Sequence, residues 1–543
     1  MKEVKQIGDN SKGKAKKSAA GKRSSLDTRT ITVPFPWLYA SIVLFLTVPL
    51  FIFFLGYLRL LVGIPLTLIF AGIVLYCVSD CMNDHDGLKL SKSDADLKIP
   101  VSYLIGFAFT ALVVSFVSGV GEYIYTLEDH RFRLAILRDL IDYDWPVIYD
   151  NTTQTVSSIK DYMSMFSEKW ALLYYFIYWL PAALAGKIFG FGFGNFVLLL
   201  WNSLGVFLSF LAVSAVIKRV TAWTPFCIIF FSGLDIIPNF VYLFIQYDSW
   251  RWLEGWVPVM SYVSNFRELA SVFNQVVPCF LVVSLLLLSN NTRSMGLTSG
   301  ILFCYSPWAV LGVIPIVLTT LFERKHRAAK ISKALLNVFS PVNISSALLI
   351  LMIFGSFYMS NSSAVDTKGF SWTYFKNPLM FIPAYFVFIS VEIFPFVIIL
   401  VRKKKMKPVY WAAVIMLLLL PLYKISEAND LCMRGAMPAL FYICIAFCEV
   451  VADVMDKKNT PVNKKGWFKT AVVMLTVILM MFPTLFNLYL IFGSVVMRVP
   501  DDKDLVGSFG NIQDESSAWF CTHNYMSYEY EDSFFFKYLA KRS

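Results

Sequence analysis

Residues 36–57, PWLYASIVLFLTVPLFIFFLGY, and residues 60–79, LLVGIPLTLIFAGIVLYCVS, are two uncharged apolar runs separated only by Leu58 and Arg59. Each is long enough to cross about 30 Å of hydrocarbon as an α-helix rising about 1.5 Å per residue. Similar runs recur at 100–120, 222–245, 272–289, 343–361, 379–400, 408–423, 437–455 and 469–493. Two further apolar stretches are interrupted. The stretch 170–216 is broken by Pro181, Gly186, Lys187 and the glycines of GFGFG, and 296–321 by Ser306 and Pro307. With these crossing as short broken pairs, or dipping in and returning, the expectation is an all-α, polytopic transmembrane bundle of about 11–14 spans. Strand alternation is absent, which excludes a membrane barrel.

The composition agrees. A chain that is 57% hydrophobic and 16% charged has too little polar surface to clothe a soluble globule of 543 residues. The net charge of +11 does not indicate a nucleic-acid partner, because the basic residues cluster between apolar runs and so report topology. Residues 1–33 carry nine Lys or Arg among Gly and Ser, with no apolar core, and are expected to be a disordered basic cytoplasmic tail. Further clusters at 80–99, 218–219, 293, 324–333, 402–407 and 457–469 bring these segments to well over half of the 48 basic residues. Placing them inside by the positive-inside rule makes 34–493 a bundle whose long loops, 121–168 and 246–271, lie outside. The short loop 424–436 and a C-terminal tail, 494–543, lie outside with them. The expected location is the bacterial cytoplasmic membrane, N-terminus inside and C-terminus outside, in contact with membrane lipids. The nine cysteines show no zinc spacing; Cys432 and Cys521 fall outside the membrane, where either two free thiols or a disulfide is compatible with the sequence.

The first external loop reads GEYIYTLEDHRFRLAILRDLIDYDWPVIYDN from Gly121 and is dense in carboxylates. From His130 to Trp145 the apolar residues Phe132, Ile136, Leu140 and Leu137, Ile141, Trp145 recur at four-residue steps, while Arg131, Arg138, Asp139 and Asp142 lie off that face. This pattern predicts an amphipathic helix lying on the outer surface. Glu128 and Asp129 stand at its N-terminus, where the helix dipole keeps a carboxylate ionised, as a general base or metal ligand requires. Asp129 serves equally well as a simple N-cap. Glu128 and Glu122 are its rivals as the functional acid.

A cytoplasmic start, a membrane helix, then an external loop with an early acid and a surface helix resembles the GT-C superfamily of polyprenyl-phosphate-sugar-dependent membrane glycosyltransferases. YYFIYWLPAALAGKIFGFG (174–192) is similar to the segment of aminoarabinose and mannosyl transferases in which a Tyr/Trp-Leu run precedes a Lys-Phe-Gly break. GILFCYSPWAVLGVIPIVL (300–318) is similar in layout to their short paired helices around a Lys-Gly-Pro turn, although Tyr305-Ser306-Pro307 replaces that lysine and its role does not carry over. LEDHRFRLAILRDL and YDWPVIYDN also look like polytopic bacterial proteins of this superfamily. The resemblance covers residues 100–330, and the two helices before the acidic loop depart from it. It implies inverting transfer of a sugar from a polyprenyl-phosphate donor to a glycan or lipid acceptor, with Asp129 as base or as the residue linked to a divalent metal ion. His130, Arg131, Arg133 and Arg138 would then meet the leaving phosphate, which a guanidinium grips bidentately. Contact with lipid headgroups is the plainer role for each of them.

Other constellations complete the picture. Trp252 and Trp256, with Tyr247, Asp248, Trp250 and Glu254, form either a platform for sugar rings or an interfacial aromatic belt. Asn274 and Gln275, at the start of the next helix, are expected to point polar groups into a cavity. Asp430 and Arg434, one helical turn apart, are placed to pair near a donor phosphate or to act as an ordinary cap and salt bridge. Asp235, Glu392 and Glu449 are ionisable groups in apolar runs, where such residues are usually functional or paired. Asp235 stands out because FSGLDIIP, with Gly233 and Pro238, suggests a broken helix. The aromatic tail 494–543 is expected to pack over the external loops. The leading expectation is a glycosyltransferase. A flippase or transporter of lipid-linked saccharides, or a non-catalytic glycan-assembly protein, would use the same surfaces without chemistry; no Walker or dinucleotide glycine motif is present.

Overall fold

The computed structural model describes residues 29–83, 96–124, 128–150, 168–246, 253–289, 293–327, 337–361, 367–403, 406–426, 428–455, 464–497, 508–509 and 522–542. In chain order the helices are α1 (Phe35–Tyr57), α2 (Leu60–Asn83), α3 (Val101–Val117) and α4 (Glu128–Asp142). There follow α5 (Leu180–Phe189), α6 (Phe191–Val216), α7 (Trp223–Phe230), α8 (Ile236–Gln246) and α9 (Asn265–Leu288). Next come α10 (Met295–Tyr305), α11 (Pro307–Arg327), α12 (Pro341–Tyr358), α13 (Phe381–Glu392) and α14 (Phe394–Arg402). The last are α15 (Pro408–Leu419), α16 (Asp430–Met455) and α17 (Lys464–Met497).

Among the described residues seven helices, α1, α2, α6, α9, α12, α16 and α17, are long and apolar enough to cross a membrane, and α13 with α14 makes an eighth bent by 48°. The chain is an integral membrane protein. The unbroken spans are fewer than the roughly 11–14 expected from length, because several apolar runs are interrupted. Gly190, at φ +91°, separates α5 from α6; Ser306 separates α10 from α11; residues 231–235 separate α7 from α8. Such irregular backbone is tolerated at membrane depth only where the protein itself surrounds it. Tyr305 donates to the Leu46 carbonyl at 2.7 Å and Ser306 to Gln275 at 2.7 Å, so the α10–α11 turn is held inside the bundle.

Close helix approaches are made by small residues. A Cβ on Gly63 would meet the Phe54 carbonyl, which explains the tight α1–α2 hairpin. Ile141 of α4 enters the notch left by Gly186 and Gly194, docking the loop helix against α5 and α6. Three small antiparallel sheets tie down the loops. Thr30–Val33, placed in the basic tail by its sequence, pairs with Leu97–Pro100, and Lys368–Phe370 pairs with Tyr423–Ile425. In the third sheet Lys169–Leu172 lies between Ile148–Asp150 and the C-terminal strand Met526–Ser527.

The C-terminal segment is therefore integrated. Arg59 donates to the carbonyls of Ala540 at 2.9 Å and Lys537 at 2.6 Å, and Phe509 and Tyr525 stack with ring centroids 5.0 Å apart. This changes the status of α4. Expected as a surface helix with a solvated polar face, it is buried at Asp139, 0% exposed, and at Arg133, 3% exposed, while Arg138 is half-buried and Asp142 exposed. The Asp139 carboxyl accepts from the Tyr149 hydroxyl at 2.7 Å and, in the C-terminal segment, from the Phe509 amide at 3.0 Å.

Burial raises the Asp139 pKa to about 7, against the lowering effect of those hydrogen bonds. A raised carboxyl pKa means that the folded protein holds a proton the unfolded chain releases. Stability associated with this contact is thus full at acidic pH and is lost progressively between about pH 4 and pH 7, by about 4 kcal/mol at most. Unfolding in detergent across that range should show the slope, and Asp139→Asn should flatten it. An unchanged slope in the variant would assign the titration elsewhere.

Candidate functional site

Two of the helix breaks, at residues 231–235 and at the α13–α14 bend, meet in one buried polar layer. It is formed by the turn between α7 and α8, the segment 253–264, the N-terminal turns of α9 and α16, and the α13–α14 bend. Ser264 caps α9, accepting from the Arg267 amide at 3.3 Å, while its own amide donates to Glu254 at 3.0 Å. Glu254 is only 1% exposed.

On one side of the layer lies a charged cluster. Arg434 donates to Asp430 at 2.6 Å within α16, one turn apart as the sequence placed them. Glu268, in the first turn of α9 and 5% exposed, lies within electrostatic reach of Arg434, Arg133 and Arg267. Arg133, from α4, also acts on Asp430. Arg267 donates to Asn487 of α17 at 3.2 Å. Asn274 donates to the Tyr175 carbonyl at 3.1 Å, and Tyr175 lies beside Asp430 and Arg434. Three helices, α4, α9 and α16, therefore bring three guanidiniums around a buried carboxyl, and α17 supplies Asn487 as a partner to one of them. The Glu268 carboxyl makes no hydrogen bond within the described residues and meets the guanidiniums only through space.

On the other side Asp235 and Glu392 meet. Their carboxyls lie against each other, and Trp256 donates its indole N–H to both, at 3.1 Å and 3.3 Å. Gly233 permits this, because a Cβ there would occupy the place of the Glu392 carboxyl. Glu254 acts electrostatically on Asp235 and on Glu268, so the two sides form one continuous layer.

The structure thus brings together Arg133, Asp430, Arg434 and Asn274 from the sequence-derived candidates, and it places Trp256 against the acid pair. Glu122 and Arg138 form a separate group. Glu122 adopts φ +62°, accepts from Asn195 at 3.3 Å and pairs with Arg138 at 3.8 Å, and burial raises its pKa. The Arg138 guanidinium stacks 4.3 Å over the Phe191 ring. Glu128 and Asp129 begin α4 as expected, but their side chains, with those of His130 and Arg131, lie outside the described residues, as does Trp252. Cys432, placed in an external loop by its sequence, is a buried free thiol in the first turn of α16, and Cys521 lies outside the described residues. Among the described residues no group of three or more His, Cys, Asp or Glu is arranged to hold a metal ion.

Sequence reasoning missed Glu268 and Arg267, and gave Glu254 only as a member of the aromatic segment. NFRELASVF reads as an ordinary polar helix start, and only the fold shows what its charges face. No family model, curated protein or solved structure matches the chain.

Proposed function

We propose that the protein is a GT-C-like glycosyltransferase that moves a sugar from a polyprenyl-phosphate donor to a glycan or lipid acceptor on the extracytoplasmic side. The observation that carries this reading is the convergence of Arg133, Arg267 and Arg434 around Glu268 in a buried layer of a membrane bundle. Guanidiniums in a low-dielectric site are suited to a phosphate that gains charge as it leaves. A buried carboxyl without hydrogen-bond partners is suited to accept the acceptor's proton.

In the reaction, Glu268 removes the proton of the acceptor hydroxyl as that oxygen bonds to the anomeric carbon. The bond from this carbon to the phosphate oxygen breaks, and the phosphate departs with the electron pair toward Arg434 and Arg133. The configuration at the sugar inverts. Asp129 remains the rival base.

Binding of undecaprenyl phosphate to the purified protein, followed by native mass spectrometry, tests the reading. Wild type should retain the lipid in preference to undecaprenol, and Arg434→Lys should weaken retention about tenfold, since an ammonium cannot reproduce the bidentate grip. Equal retention of phosphate and alcohol would overturn it.

A transporter of lipid-linked saccharides is the second reading. It is favoured by the Asp235–Glu392 pair beside a broken helix, an arrangement used for coupling ions in carriers. Movement of a fluorescent lipid-linked sugar across vesicles without turnover would select it.

A further inference from the structure

A cavity of about 440 Å³ lies away from the polar layer, between α14 and α17. Its walls are Phe394 and Ile398 on one side and Phe468 and Val472 on the other, and Arg402 and Lys403 close one end. Ser390, across the 48° bend, marks the opposite end. The bend turns Glu392 inward to Asp235 and leaves Phe394 and Ile398, 40% and 49% exposed, on the outer flank of the bundle.

Length and charge together identify an occupant. From Ser390 to Arg402 a helix rises about 18 Å, less because of the bend, and one leaflet contributes about 15 Å of hydrocarbon. The groove therefore spans a single leaflet, apolar along its length and cationic where the headgroups begin. Basic residues at the interfacial end of such a groove between membrane helices suit an anionic headgroup, and the arginine can take a phosphate by two parallel hydrogen bonds. A zwitterionic lipid would bring its own ammonium against the same cations.

We infer that the groove between α14 and α17 is a binding site for one anionic glycerophospholipid, its acyl chain lying between Ile398 and Val472 and its phosphate on Arg402 and Lys403. The site is independent of the proposed transfer reaction, since none of these residues belongs to the polar layer.

The test is native mass spectrometry of the full chain released from nanodiscs containing phosphatidylglycerol and phosphatidylcholine in equal amounts. Wild type should retain phosphatidylglycerol preferentially. The double variant Arg402→Gln, Lys403→Gln should lose about tenfold in that preference. Ile398→Trp, which fills the groove from an exposed position, should reduce retention of both lipids, and a thermal unfolding curve like that of wild type would show that each variant is folded. Equal retention of the two lipids by wild type, or an unchanged preference in the folded double variant, would overturn the inference. So would displacement of phosphatidylglycerol by undecaprenyl phosphate at equal concentration, which would make the occupant a substrate lipid.

Discussion

Replacing Glu268 by Gln is expected to cut sugar transfer by a factor of about 10² to 10⁴, the usual contribution of a positioned general base, while leaving binding of undecaprenyl phosphate intact or stronger. The amide keeps the volume of a residue only 5% exposed but cannot take a proton. The amide carries no charge to offset Arg133, Arg267 and Arg434, so an anionic lipid should bind at least as well. A positioned base and a merely structural carboxylate differ in two readouts. For a base, kcat falls with little change in KM, and the acidic limb of the pH–rate profile disappears. For a structural acid, the folded population falls and the residual activity keeps its profile. Turnover at the wild-type rate in folded Glu268→Gln would return Asp129 to the role.

Gly312→Ala is expected to have the largest effect on stability. A Cβ at this position would run into the Gly435 carbonyl oxygen, with the carbonyl carbon 3.1 Å away. The obstacle is backbone of a neighbouring helix and cannot rotate aside. Overpacking of a close-packed interior costs typically 1–3 kcal/mol, and prising α11 from α16 should lie at the upper end of that range. The displacement would also reach Arg434, adjacent to Gly435 in α16. Loss of both thermal stability and lipid binding is therefore expected. Gly72→Ala is the matched control, because nothing lies within 4 Å of a Cβ there and alanine is the better helix former. Equal unfolding temperatures for the two variants would show that the α11–α16 contact relaxes freely.

The parts of this architecture that could be read from sequence are those set by local chemistry. Two uncharged runs around Leu58-Arg59 gave α1 and α2, and the breaks at Gly190, Ser306 and the FSGLDIIP segment fell where glycine and proline weaken a helix. The Asp430–Arg434 pair was visible because residues four apart share a helix face. Arrangements made by distant segments were hidden. Period alone suggested that Asp139 would face water with Arg138 and Asp142, since a charged stripe on a helix normally does; Tyr149 and, from the C-terminal segment, the Phe509 amide instead enclose its carboxyl. Glu392 gave no sign that it would meet Asp235 and the indole of Trp256, because each sits in its own apolar or aromatic context. A buried charge announces itself in sequence only when its partner is nearby on the same element.

The hydrogen bond from Arg59 to the Ala540 carbonyl joins positions 481 residues apart. Closing so long a loop is an entropic debt that no early intermediate can settle. The first hairpin therefore enters the bilayer with its connecting turn unfinished, and the whole bundle must gather before residues 535–541 can seat against it. Removing that final stretch would leave every membrane crossing intact in length and hydrophobicity, yet strand the guanidinium at the first turn, so that insertion would succeed where maturation would stall.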